Sequence, residues 1–255
     1  MRPEDGSVWI TGASAGIGRA LALEMAARGW RVYATARGAD ALTALEAEGQ
    51  GRIIAVPGDV TSTEDMRRAV ARVVSDGPLA LAVLNAGVYL PMRAQSFSAA
   101  DAARTFDVNL TGVANGLEPV LEHLISRQDG HVALVASVAG YRGLPNAAAY
   151  SASKAGLIAM AEALAMDLVD LGVRISVVNP GFVETAATSV NDFKMPMLLQ
   201  PEEAARRIAD GLARPGFEVR FPWLFALLLR MMGLLPNRAY LWVVRKALGW
   251  DKMDA

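Results

Sequence analysis

Two side chains able to share a proton stand four residues apart in Tyr150-Ser151-Ala152-Ser153-Lys154, inside a run of good helix formers from Asn146 to Leu171. On a helix, positions four apart lie on one face, which turns the Tyr150 hydroxyl and the Lys154 ammonium toward the same point. A cation about 4 Å from a phenol, at an effective dielectric of about 20, is worth about 4 kcal/mol, or about 3 pKa units. A phenol that titrates at about 10 in water would then exchange a proton close to neutral pH, where general acid and base catalysis is most effective. The same spacing also fits an amphipathic helix edge with a solvated charge, so the pair needs support from the rest of the chain.

That support comes from residues at the ends of apolar runs. Ser7 to Ala13 reads as a short buried strand, and Gly16 to Arg28 as a helix with Ile17, Leu21 and Met25 on one side. Between them, Thr11-Gly12-Ala13-Ser14-Ala15-Gly16-Ile17-Gly18 holds three glycines spaced four and two apart. Glycine permits a tight turn and a close approach of backbone to ligand, and a new helix offers unpaired N–H groups to a phosphate. The spacing differs from the common G-x-G-x-x-G dinucleotide fingerprint, and a plain turn is the competing reading. Arg31 to Arg37 is a second strand. An acid at its end would accept from a ribose 2′-hydroxyl, and a base would pair with a 2′-phosphate. Ala36 and Arg37 stand there, so the residues favour NADP(H), with Ser14 as a second phosphate contact. The alternative for Arg37 is a side chain in solvent.

Arg52 to Asp59 follows the helix Ala39 to Gly49 as a third strand, and adenine could dock against Val60 and donate its amine to Asp59. Asp59 also fits a turn ahead of a helix whose capping box would pair Thr61 with Glu64. Leu79 to Leu84 is a fourth strand, ending in Asn85-Ala86-Gly87. A helix from Ser98 to Arg127 carries Asn109, which in mid-helix is either incidental or holds a kink and an ordered water. Val132 to Ser137 is a fifth strand, and Val173 to Val178 a sixth, ending in Asn179-Pro180-Gly181. Alternating strand and helix predict an α/β fold, a doubly wound parallel sheet of Rossmann type with helices on both faces. In such sheets ligands bind beyond the carboxyl ends of the strands, where all of these candidates fall.

Composition agrees with one domain over 1–255. The chain has 255 residues, 53% hydrophobic and 20% charged, enough to bury a large core. A formal charge of −1 and a pI of about 6.2 leave no basic field for a nucleic acid. Cysteine is absent, which excludes disulfides and thiolate chemistry, and no metal site is expected. The acidic opening, Met1 to Gly6, does not look like a secretion signal, so a cytoplasmic location is expected.

From Ser7 to Gln200 these residues closely resemble the short-chain dehydrogenase/reductase family. The resemblance is carried by the TGASAGIG loop, Asp59, Asn85-Ala86-Gly87, Asn109, Ser137, Tyr150 with Lys154, and Pro180-Gly181 followed by Thr185. It implies that Tyr150 protonates a carbonyl oxygen, or takes the alcohol proton in reverse, while the nicotinamide carries the hydride. Lys154 would bind the nicotinamide ribose and depress the Tyr150 pKa. Ser137 would hold the substrate oxygen, Asn109 a water linking Lys154 to solvent, and Thr185 with the backbone near Val183 the carboxamide. Members that bind NADP often carry a second basic residue before the middle glycine. Ala15 stands there, which leaves the preference to Arg37 and keeps NAD(H) open.

The family has a mobile substrate lid where this chain runs from Glu184 to Gln200. Phe193, Met195, Pro196, Met197 and Leu198 there suit a bulky hydrophobic carbonyl or alcohol, and Tyr89, Tyr141, Arg142 and Leu144 would line the same pocket or pack as ordinary core. A helix from Pro201 to Ala213 and a last strand from Phe217 to Phe221 complete the sheet. Residues 222–250 form an apolar helical extension, too short to span a bilayer and broken by Arg230. It would cover the substrate mouth, join subunits, or lie on a membrane surface. The Ser98 to Arg127 and Tyr150 helices are expected to make the seam of a homodimer or homotetramer, as the family does. A non-catalytic dinucleotide sensor and a membrane-surface lipid-handling protein are the rival readings.

Overall fold

Side chains of each central strand alternate between the two faces, and because helices cover both faces these strands are buried at every position. The computed structural model describes residues 2–189 and 195–247. Seven strands form one sheet: β1 (Ser7–Thr11), β2 (Val32–Thr35), β3 (Ile53–Ala55), β4 (Leu79–Leu84), β5 (His131–Val135), β6 (Arg174–Pro180) and β7 (Glu218–Phe221). Their order is β3-β2-β1-β4-β5-β6-β7, and every neighbouring pair is parallel. Val8 and Ile10 of β1 point to the layer of α1 (Gly16–Ala27), α2 (Ala39–Glu48) and α7 (Pro201–Leu212), where Leu21, Leu42 and Ile208 meet them. Trp9 points the other way, toward α3 (Thr63–Ser75), α5 (Gly112–Arg127) and α6 (Ala148–Leu168), and joins Met66, Leu117 and Leu157. The strand order reverses between β1 and β4, so the loops after these two strands diverge to opposite sides and leave a crevice.

The doubly wound sheet is as expected, with three local differences. β1, β2, β3 and β5 each stop two to four residues early, as the chain turns out of the regular ladder into the loops above the sheet. The capping box at Thr61 and Glu64 does not form. Ser62 caps α3 by accepting from the Asp65 amide at 3.2 Å, while Thr61 turns back to Asp59. The helix expected over Ser98 to Arg127 is broken into α4 (Ala99–Phe106), a π-helical turn at Asp107–Thr111, and α5. Asn109 sits in that wide turn, a placement common at functional sites.

The C-terminal extension is two helices, α8 (Trp223–Gly233) and α9 (Asn237–Ala247). Among the described residues no helix is long and apolar enough to cross a membrane.

Candidate active site

The glycine loop is held against the end of β4. Gly12 and Gly16 adopt φ of +68° and +54°, conformations that favour glycine. A Cβ on Gly12 would stand 2.7 Å from the Ala86 Cα, and one on Gly18 would stand 2.3 Å from the Gly12 carbonyl oxygen. Asn85 locks this contact: its amide donates to the Thr11 carbonyl at 3.0 Å, and the Thr11 hydroxyl accepts from the backbone of Asn85 and Ala86 at 3.0 and 3.1 Å. Above the loop lies a cleft of about 450 Å³ lined by Gly12, residues 14–18, Arg37, Asp59, Val60, residues 85–87 and Thr185. Arg37 is exposed at the end of β2 and, among the described residues, makes no ion pair. Arg104 of α4 is a second cation on the cleft wall. Sequence reasoning missed it, because nothing local marks α4 as part of the cleft wall. One oxygen of Asp59 accepts from the amide and hydroxyl of Thr61 at 3.0 and 2.9 Å, so its turn role is real and leaves it on the cleft wall. A glycine cradle with cations at its rim fits the pyrophosphate and a further phosphate of a dinucleotide.

A second cleft, of about 760 Å³, adjoins the first and shares Ile17, Asn85 and Thr185 with it. Ser137, Tyr150, Lys154, Tyr89, Leu144, Pro180, Gly181 and Val183 line it, together with apolar side chains of α8 and α9. Ser137 follows β5; its hydroxyl accepts from the Ala139 amide at 3.1 Å and reaches the Pro180 carbonyl at 3.4 Å. Tyr150 meets Tyr89 edge to face at 5.1 Å between centroids. Asn109 is fully buried, and its side chain is spent on Val88, from which it accepts at 2.8 Å and to which it donates at 3.0 Å, and on Ser153. It thereby ties the loop after β4 to α6 at Ser153, the residue before Lys154. Near Val183, the Thr188 hydroxyl donates to the Val183 carbonyl at 2.6 Å and accepts from the Thr185 amide at 3.0 Å, a closed turn that presents Thr185 to both clefts.

The expected acidification of Tyr150 is not present in this state. Burial dominates and raises its pKa, the Ser137 hydrogen bond lowers it in part, and Tyr89 adds to the rise. Lys154 does share the face, but its ammonium donates to the Val135 carbonyl at 2.8 Å and sits 5.6 Å from the centre of the Tyr150 ring. Burial alone pulls Lys154 down to about 8. The phenol therefore keeps its proton at neutral pH.

Three pocket expectations change. Tyr141 turns away from the cleft and donates to Glu218, which also accepts from Asn179 at 2.8 Å. Arg142 caps α8 instead, donating to the carbonyls of Met232, Gly233 and Leu235 at 3.2, 2.9 and 2.8 Å and stacking 4.1 Å from the Tyr240 ring centre. Nothing in local sequence marks that role, since its partners lie ninety residues on. In the lid stretch, Pro196 rather than Met195 lines the cleft, and Phe193 lies outside the described residues.

Comparison with known proteins places this geometry. The short chain dehydrogenase family model matches residues 7–194. An uncharacterized oxidoreductase of Myxococcus xanthus is 41% identical over 89% of this chain and 92% of its own length. A ketoacyl reductase, HetN, of a Nostoc species is 32% identical over 84% of this chain and 77% of its own. A short chain dehydrogenase of Burkholderia cenocepacia, solved in complex with NADP, superposes with a TM-score of 0.82 at 27% identity, covering 97% of this chain and 99% of that one. The chain belongs to the short-chain dehydrogenase family and is an oxidoreductase of that family.

Proposed function

We propose that this oxidoreductase is NADP(H)-dependent and interconverts a ketone or aldehyde with its alcohol on a medium to large hydrophobic substrate. The observation that carries the reading is the meeting of Ser137, Tyr150 and Lys154 on the wall of an apolar cleft that opens into the glycine-lined one. The glycine loop would hold the pyrophosphate, Arg37 and Ser14 a 2′-phosphate, Asp59 and Val60 the adenine, and Thr185 with the Val183 backbone the carboxamide. NADP in the Burkholderia relative and the ketoacyl chemistry of the Nostoc relative support the cofactor and the carbonyl.

When bound, the dinucleotide supplies or accepts the hydride. Ser137 holds the substrate oxygen with its hydroxyl. Tyr150, kept protonated by burial, gives that oxygen its proton in reduction. Once the proton has left, the Lys154 ammonium, 5.6 Å from the centre of the Tyr150 ring, favours the phenolate. Burial opposes the phenolate more strongly at rest, so proton transfer waits for an acceptor. We expect a homodimer or homotetramer seam along α4, α5 and α6, supported by exposed Phe106, Met166 and Val169.

The test is turnover of NADPH with carbonyl compounds of graded chain length. Tyr150→Phe should bind NADPH as the wild type does and lose turnover roughly 100-fold or more. Retained turnover removes Tyr150 from the reaction.

A further inference from the structure

We propose that α8 and α9 seat this protein on an anionic bilayer surface, and that its substrate is a lipid-like ketone or alcohol drawn from that bilayer into the cleft. The inference rests on the carbonyl chemistry proposed above and names the class and source of the substrate.

Helix α8 is apolar around its whole circumference except at Arg230. One arc, Phe225, Leu229 and Met232, lines the cleft, and Ala226 is buried. The opposite arc, Trp223, Leu224, Leu227, Leu228 and Met231, is exposed. A helix apolar on every side belongs in a core or against lipid, and the described residues cover only one side of this one. Helix α9 turns Tyr240 and Val244 inward. Helical spacing puts Leu241 and Trp242 on the far side, among Arg238, Arg245 and Lys246. With Leu234, eight large apolar side chains between 36% and 78% exposed lie on these two helices and the turn between them. Monomer surfaces rarely leave so large an apolar patch open without use.

Charge selects the occupant. From Trp223 to Ala247 the chain has the cations Arg230, Arg238, Arg245 and Lys246 and no carboxylate, although the whole chain carries −1. Arg230 is spent on Glu218 at 2.7 Å and Arg245 also has a partner within the chain, so the outward charge is that of Arg238 and Lys246, the latter 4.9 Å from the Trp242 ring centre. A second copy docking by a two-fold axis would set this basic face against itself. Anionic headgroups neutralise it, while tryptophans and leucines enter the acyl boundary. The route follows from the same helices: Phe225, Leu229, Met232 and Val244 share one cleft with Ser137 and Tyr150. The membrane-facing pair is the cleft's own wall.

The full chain is incubated with vesicles of phosphatidylcholine alone and with vesicles containing about a third phosphatidylglycerol, and bound protein is measured by flotation. Binding to the anionic vesicles at least tenfold tighter is expected, and high salt should weaken it. Leu228→Glu with Trp242→Ser should abolish binding. Neither residue lines the cleft, so turnover of a water-soluble short-chain ketone should stay within about twofold, which also shows the variant folded. Turnover of a long-chain ketone presented in anionic vesicles should fall at least tenfold. Activity on the soluble ketone without vesicle binding overturns the inference and leaves the proposed function standing. Loss of a dimer in the double variant, seen by light scattering in the absence of vesicle binding, overturns it in favour of a second copy. No carbonyl turnover by the wild type overturns the reading beneath both.

Discussion

The ammonium of Lys154, 3% exposed, carries a cost that pH can expose. Burial lowers its pKa from 10.5 to about 8, and at 1.36 kcal/mol per unit the charged form is disfavoured in the fold by about 3 kcal/mol. Below pH 8 the folded protein bears this penalty in full. Between about 8 and 10.5 the unfolded chain holds the extra proton, so stability rises with pH across that window. Lys154→Met removes the charge at nearly constant shape, but it also strips the Val135 carbonyl of its donor, a loss of about 1–3 kcal/mol. At pH 7 gain and loss nearly cancel, and the two proteins should differ little in urea denaturation. The slope separates them. From pH 7 to 10.5 the wild type should gain about 3 kcal/mol relative to Lys154→Met, since the variant removes the Lys154 titration. A difference that stays flat across that range refutes a buried, charged Lys154. The variant should also lose turnover.

Arg37→Ala should raise KM for NADPH roughly 10–100-fold and leave KM for NADH nearly unchanged, since one charge-assisted phosphate contact is at stake; equal effects in steady-state assays mean that Arg37 does not touch the phosphate. Gly18→Ala drives a methyl to 2.3 Å from the Gly12 carbonyl and 2.5 Å from the Asn85 amide. We expect a loss of about 1–3 kcal/mol in thermal denaturation and of NADPH binding in fluorescence titration, and a wild-type titration would show that the loop is looser than described. Arg142→Ala frees the carbonyls at the end of α8, and amide exchange through 223–247 should accelerate roughly thirtyfold for about 2 kcal/mol lost. Unchanged exchange would show that α8 is held by other contacts.

Much of the fold was legible because the central strands are mostly apolar and β1, β4 and β6 end at or beside residues that rarely continue a strand. Gly12, Asn85 and Pro180 mark carboxyl ends by type alone, and a parallel doubly wound sheet gathers those ends on one side. Pattern could thus place Ser137, Tyr150 and Lys154 in one region without any contact being known. What it could not supply was anything set by a distant partner. Pattern offers Arg142 the pocket or the core, yet the carbonyls it caps belong to a helix ninety residues later. Tyr141 has the same two readings, yet its hydroxyl donates to Glu218 on the last strand. The π turn at Asp107–Thr111 holds Asn109, whose partners, Val88 and Ser153, lie about twenty residues before it and about forty after it.

The sequence alone therefore determined which chemical groups are present and at which strand ends they stand, because type and periodicity are local properties. Tertiary structure decided their ionisation and their aim: burial, not the neighbouring ammonium, governs the Tyr150 proton, and Lys154 turns to Val135. Solvent exclusion and hydrogen-bond direction depend on which segments pack around a group, and four residues of spacing on one helix cannot encode that.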